Sequence, residues 1–99
     1  MLRMVVMTHN PEAGPVGSET VRESAKIAMQ KREQVMSKLD IREIGEWIDV
    51  PGHVAFLLVD APNAHVITQM LAELGLLGWL TAAIHPVIDY REAAKMLPQ

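Results

Sequence analysis

Two short runs constrain the fold of this chain more than any other feature: Met4-Val5-Val6-Met7 and Val54-Ala55-Phe56-Leu57-Leu58-Val59 carry apolar residues at consecutive positions. Successive side chains of a strand point to opposite faces, so each run is apolar on both faces of whatever sheet it joins. An antiparallel sheet with one wet face alternates apolar and polar residues instead. Both faces of these strands therefore need cover.

The rest of the pattern says how much cover the chain can supply. Leu2 to His9 reads as a first strand, stopped by Asn10, Pro11, Gly14, Pro15 and Gly17. Ser18 or Thr20 can cap a helix running to about Lys38, with Glu23 completing a capping box for Thr20. Ile41 to Val50 reads as a second strand, Pro51-Gly52 as a turn and His53 to Val59 as a third strand, which together make a hairpin. Asn63 can cap a second helix with apolar positions Val66, Ile67, Met70, Leu71 and Leu74, ending near Gly75. Thr81 to Asp89 reads as a last strand containing Pro86, which places it at a sheet edge, and Tyr90 to Leu97 as a short terminal helix.

The order βαββαβ predicts an α+β, ferredoxin-like domain over residues 1–99: a four-stranded antiparallel sheet with two helices on one face. Two helices cover only one face. The other is expected to meet the same face of a second copy, giving a homodimer or higher homo-oligomer built as a dimeric α+β barrel. A chain of 99 residues that is 49% hydrophobic and 21% charged can enclose one core. Seven Met and only 4% aromatics make that core adaptable.

Composition also narrows function. A net charge of −3 without a basic stripe speaks against nucleic acid as a partner. The absence of Cys removes thiolate nucleophiles and sulfur-bound zinc and fits a reducing cytoplasm. No apolar tract approaches a membrane span of about 20 residues, so the expectation is a cytoplasmic protein without a membrane partner.

In this topology the first and third strands are antiparallel neighbours, so His9 and His53 are expected to converge at one sheet edge. Trp79 reaches the same end, and Trp47 lies three residues before the close of the second strand. Imidazoles beside indole walls suit a small-molecule pocket in which a His moves a proton. The same histidines can equally be strand-end residues bonded to loop backbone. His85 falls inside the last strand, where a partly enclosed core imidazole is expected, and serves as a second candidate base or donor; His65 should face solvent. The His residues stand singly, without a paired spacing, so no metal site is expected. Asp49, Asp60 and Asp89 read as turn residues and Glu33 as a solvated helix residue.

The tract containing Trp47, Gly52-His53-x-Ala55, Asp60, Leu74-x-Leu76-x-x-Trp79 and Pro86-Val87, with the opening Met1-Leu2-x-x-Val5-x-Met7-Thr8, resembles muconolactone isomerases. The resemblance implies a cofactor-free isomerase that moves a proton next to the carbonyl of an unsaturated lactone, in a ring-like oligomer of dimeric barrels. Three places depart from that family's pattern. Gln30-Lys31-Arg32-Glu33 stands where it has Glu-Glu-Lys, Met4 and Val6 replace polar positions, and Leu77-Gly78-Trp79 replaces Phe-Pro-Tyr. The segments Ile44-Gly45-x-Trp47 and Pro86-Val87 also resemble uncharacterised small ferredoxin-like domains.

The leading expectation is thus a small-molecule isomerase with His53 or His9 as base, His85 as a further candidate and Trp47 and Trp79 shaping the pocket. The alternatives are a cofactor-independent monooxygenase of small aromatics, a chemistry the same architecture hosts, and a non-catalytic ligand-binding or assembly module.

Overall fold

Strand β1 (Leu2–Thr8) occupies the middle of the sheet, because its two apolar faces make it the strand that gains most from neighbours on both sides. The computed structural model describes residues 1–98. After β1 come a short 3-10 turn (Pro11–Ala13), helix α1 (Glu19–Lys38), strands β2 (Arg42–Asp49) and β3 (Val54–Asp60), and helix α2 (Ala64–Glu73). A second 3-10 turn (Leu76–Gly78), strand β4 (Thr81–Pro86) and helix α3 (Tyr90–Ala94) complete the order. The sheet is antiparallel with strand order β2-β3-β1-β4, the ferredoxin-like arrangement of an α+β fold.

Local chemistry accounts for the boundaries. Ser18, not Thr20, caps α1, accepting from the Val21 amide at 3.3 Å. Asn63 caps α2, accepting from the Val66 amide at 3.1 Å. The chain leaves α2 through Gly75 at φ +71°, the left-handed position that glycine fills without strain. One expectation needs correcting: β4 ends at Pro86 instead of running on to Asp89. Pro86 pairs with Arg3, one more bond runs from the Val87 amide to the Leu2 carbonyl at 3.2 Å, and β1 then has no residue left to pair. Asp89 consequently caps α3, accepting from the Arg91 amide at 2.8 Å.

The core lies on one side of the sheet. Val5 and Val59 are fully buried, as is Ile67 of α2, and Met36 and Ala28 of α1 join them. Both helices therefore cover the face that carries the odd-numbered residues of β1 and β3. The opposite face carries Met4, Val6, Phe56 and Leu58, with Trp47 paired to Phe56 across β2 and β3. Trp47 is 56% exposed and Phe56 36%. At the far end of the sheet the N-terminal ammonium meets Asp60 at 2.7 Å, and this ammonium, ahead of Arg42, holds the Asp60 carboxyl below its ordinary range.

Candidate functional site

His9 follows β1 and His53 precedes β3, and the ladder between these strands carries them together. Thr8 pairs with Val54, and one step further on the His9 amide donates to the His53 carbonyl at 3.4 Å. The rings meet edge to face with centroids 5.1 Å apart. Trp79, between the second 3-10 turn and β4, closes the group, its ring centroid 5.6 Å from that of His9. All three side chains are half-buried.

The surroundings of His9 determine what its ring can do. Nδ1 lies 2.7 Å from the carbonyl oxygen of Asn10, an atom that only accepts, so the Nδ1 proton is committed there and Nε2 carries the lone pair. The ring also rests against buried Gly14, where a Cβ would overlap the imidazole. The loop bearing Gly14 is fastened to α1 by Arg22, which donates to the carbonyls of Pro15 at 3.0 Å and Val16 at 3.3 Å. Asn10, Gly14 and Arg22 thus form a cradle for one imidazole tautomer.

His53 is held differently. Its backbone sits at φ +56°, the left-handed region that non-glycine residues enter rarely and at a cost of about 1–3 kcal/mol. The two-residue turn after Val50 imposes this, with the His53 amide donating back to the Val50 carbonyl at 3.3 Å.

Behind the two imidazoles a cavity of about 480 Å³ opens between the sheet and the helices. That is within the range of about 300–1,000 Å³ typical of small-molecule sites. Its interior wall is Met7, Leu57, Ala28, Met70 and Leu74, and His9, His53 and Trp79 stand at its rim. Across the mouth, Arg32 of α1 bonds Glu46 of β2 at 2.8 Å and also Glu43, which ties the helix to the edge strand. A smaller hollow of about 280 Å³, lined by Thr8, Asn10 and Thr81, shares His9 and Trp79 as walls.

The remaining sequence candidates fall elsewhere. Trp47 is on the opposite face of the sheet, its ring folded over Gly45, and does not line the cavity. His85 pairs with Met4 on that same face, towards the far end of β4. It is exposed, not enclosed as its position inside a strand suggests, because β4 is an edge strand and no helix covers this face. His65 and Glu33 are exposed as expected. Among the described residues, no three His, Asp or Glu side chains gather as a metal site, and no helix is long and apolar enough to cross a membrane.

Sequence reading missed Gly14, which it takes only as a turn former. Gly14→Ala is expected to push the imidazole out of its seat, and a displacement of about 1 Å at a reacting group can cost about 100-fold. Turnover should fall by that order while substrate KM changes little, in steady-state kinetics. An unchanged kcat in the folded variant would remove Gly14 from the positioning of His9.

The fold and site together define a ferredoxin-like α+β domain with an apolar cavity gated by a His-His-Trp cluster. The sequence matches the family of the domain of unknown function DUF3303 along residues 1–99, and the chain belongs to that family. No curated protein matches it.

Proposed function

We propose that this protein is a small-molecule isomerase that moves a proton next to a carbonyl, working without a cofactor, with an unsaturated lactone as its substrate class. The observation that carries the reading is the His9 imidazole: its Nδ1 proton is spent on Asn10, which leaves the lone pair on Nε2, and the ring lines the rim of an apolar cavity. A general base needs that combination of free lone pair, fixed orientation and substrate space.

The step needs only a proton. Nε2 of His9 takes one from the carbon beside the carbonyl, and the electron pair of that C–H bond moves towards the carbonyl oxygen. His53, edge-on to His9, is the neighbour that donates to this oxygen as negative charge develops there. The His9 imidazolium then returns the proton to the far carbon of the conjugated system, so the double bond shifts and no atom is gained or lost. The muconolactone isomerase resemblance agrees with this chemistry, although the base here comes from β1 and not from the first helix.

The partner we propose is a second copy of the chain, seated on the open sheet face that carries Trp47 and Phe56. Localisation in the cytoplasm follows from the same reading of a metabolic enzyme without Cys.

Incubation with an unsaturated γ-lactone in deuterated buffer tests the reaction. Deuterium should enter the positions conjugated with the carbonyl, and the double bond should migrate, both faster than in buffer alone. Exchange no faster than the buffer rate over a panel of such lactones would overturn the isomerase. Oxygen consumption with a small phenol would instead establish the monooxygenase.

A further inference from the structure

We propose that the cavity selects an uncharged ligand with a hydrocarbon body and one carbonyl head, and rejects carboxylates of the same size. This rests on the proton-transfer reading for the placement of the head, while the body follows from the cavity alone.

The interior argues for the body. Met7, Met70, Leu57, Leu74 and Ala28 offer no hydrogen-bonding side chain, and two unbranched thioethers among them can adjust to an irregular hydrocarbon. Removing apolar ligand surface from water favours binding in proportion to the area buried. A polar body would give up its hydration there for nothing.

The rim argues against a negative head. Arg32 is the cation at the mouth, and its two terminal nitrogens are already engaged by Glu46 and Glu43. Asp49, also on the rim, accepts from the Gly52 amide at 3.0 Å. One cation at the mouth thus stands beside two lining carboxylates, those of Glu46 and Asp49. A carboxylate entering it meets like charge and has no free cation to pair with.

One donor identifies the head. Trp79 Nε1 is buried and has no hydrogen-bond partner among the described residues. A buried indole N–H ordinarily finds an acceptor, and leaving it unpaired is costly. Its ring lines the rim beside His9, so an acceptor oxygen that reaches Nε1 lies at the same end of the cavity as the His9 ring. A ketone, lactone or ester carbonyl accepts such a bond without bringing charge. Trp79 is accordingly a ligand-binding residue in its own right and not only a wall.

The test uses γ-decalactone and its ring-opened hydroxy-carboxylate, which share a carbon skeleton and differ in charge. Binding is followed by the methyl signals of Met7 and Met70 and the indole N–H signal of Trp79 in NMR titrations. The lactone should shift all three, and the carboxylate should bind at least about tenfold more weakly. Trp79→Phe keeps an aromatic wall but removes the donor, and should weaken the lactone by about three- to tenfold. Equal or tighter binding of the carboxylate, or lactone shifts that spare Met70, would overturn the proposal. A decalactone that binds in this pattern, with no proton exchange on the unsaturated lactones of the panel, would remove the isomerase reading and leave the ligand class standing. Exchange on short lactones with no decalactone binding would do the reverse.

Discussion

Replacing His9 by Gln should lower turnover by about 100- to 10,000-fold, the range that general-base catalysis supplies, and leave the protein folded. Gln removes the Nε2 base but remains polar in a half-buried position beside Asn10 and Gly14. The companion variant His53→Gly separates chemistry from architecture more sharply. At φ +56° glycine relieves the strain that His53 carries, while it costs about 0.5–1 kcal/mol in lost chain freedom. Stability should therefore stay within about 1 kcal/mol of the parent, measured by urea unfolding. Turnover should nonetheless fall by more than tenfold, because the donor to the developing oxyanion is gone. If His53→Gly is fully active, His53 is a turn residue and His9 acts with another donor. If His9→Gln is fully active, the base lies elsewhere and the proton-transfer mechanism fails at its centre.

The convergence of these two residues was legible because it follows from topology alone. Once β1 and β3 are antiparallel neighbours, the end of one and the start of the other share an edge whatever the side chains do. Which face a residue occupies depends instead on register, which sequence does not print. Trp47 shows this. The ladder pairs Asp49 with Val54 and Trp47 with Phe56, and that parity sends the indole to the open face while Glu46 and Ile48 line the cavity. A bulge between Glu43 and Gly45 further breaks any count made from the start of β2. His85 was misread because burial of a strand residue depends on what lies over that face and not on its distance from the strand ends. Gly14 was invisible for another reason: its contact with His9 crosses five positions through a loop, and no periodicity encodes it. The Arg32 bonds to Glu43 and Glu46 join α1 to β2 across space and are equally silent in the sequence.

The open face yields the second large effect. A face holding Met4, Val6, Phe56, Leu58 and Trp47 is a contiguous apolar surface, and isolated soluble chains rarely leave one of that kind uncovered. The segment after β4 points the same way. Ile88, Tyr90, Met96 and Leu97 are all at least half exposed, and the chain measures 55 Å along its longest axis. Its radius of gyration is 15.0 Å, whereas about 13 Å is usual for a compact domain of about 100 residues. An arm whose Ile88, Tyr90, Met96 and Leu97 all stay exposed is suited to packing on another surface. A second copy supplies both missing surfaces at once, since two sheets facing each other cover both open faces and bring each arm to its neighbour. The parent should then sediment as a dimer or a multiple of one through the micromolar range. Trp47→Glu places a charge at the centre of that contact, and loss of a central Trp costs about 2–4 kcal/mol, or about 30- to 1,000-fold in affinity. Analytical ultracentrifugation should therefore find Trp47→Glu monomeric, with Phe56→Asp behaving alike and the exposed helix variant Glu33→Gln still assembled. Tyr90→Asp combined with Leu97→Asp should weaken the assembly if the arm crosses to the neighbour, and leave it untouched if the sheet face acts alone. A parent chain that is monomeric throughout the range would defeat the barrel, because both apolar surfaces would then be stable in water without a partner.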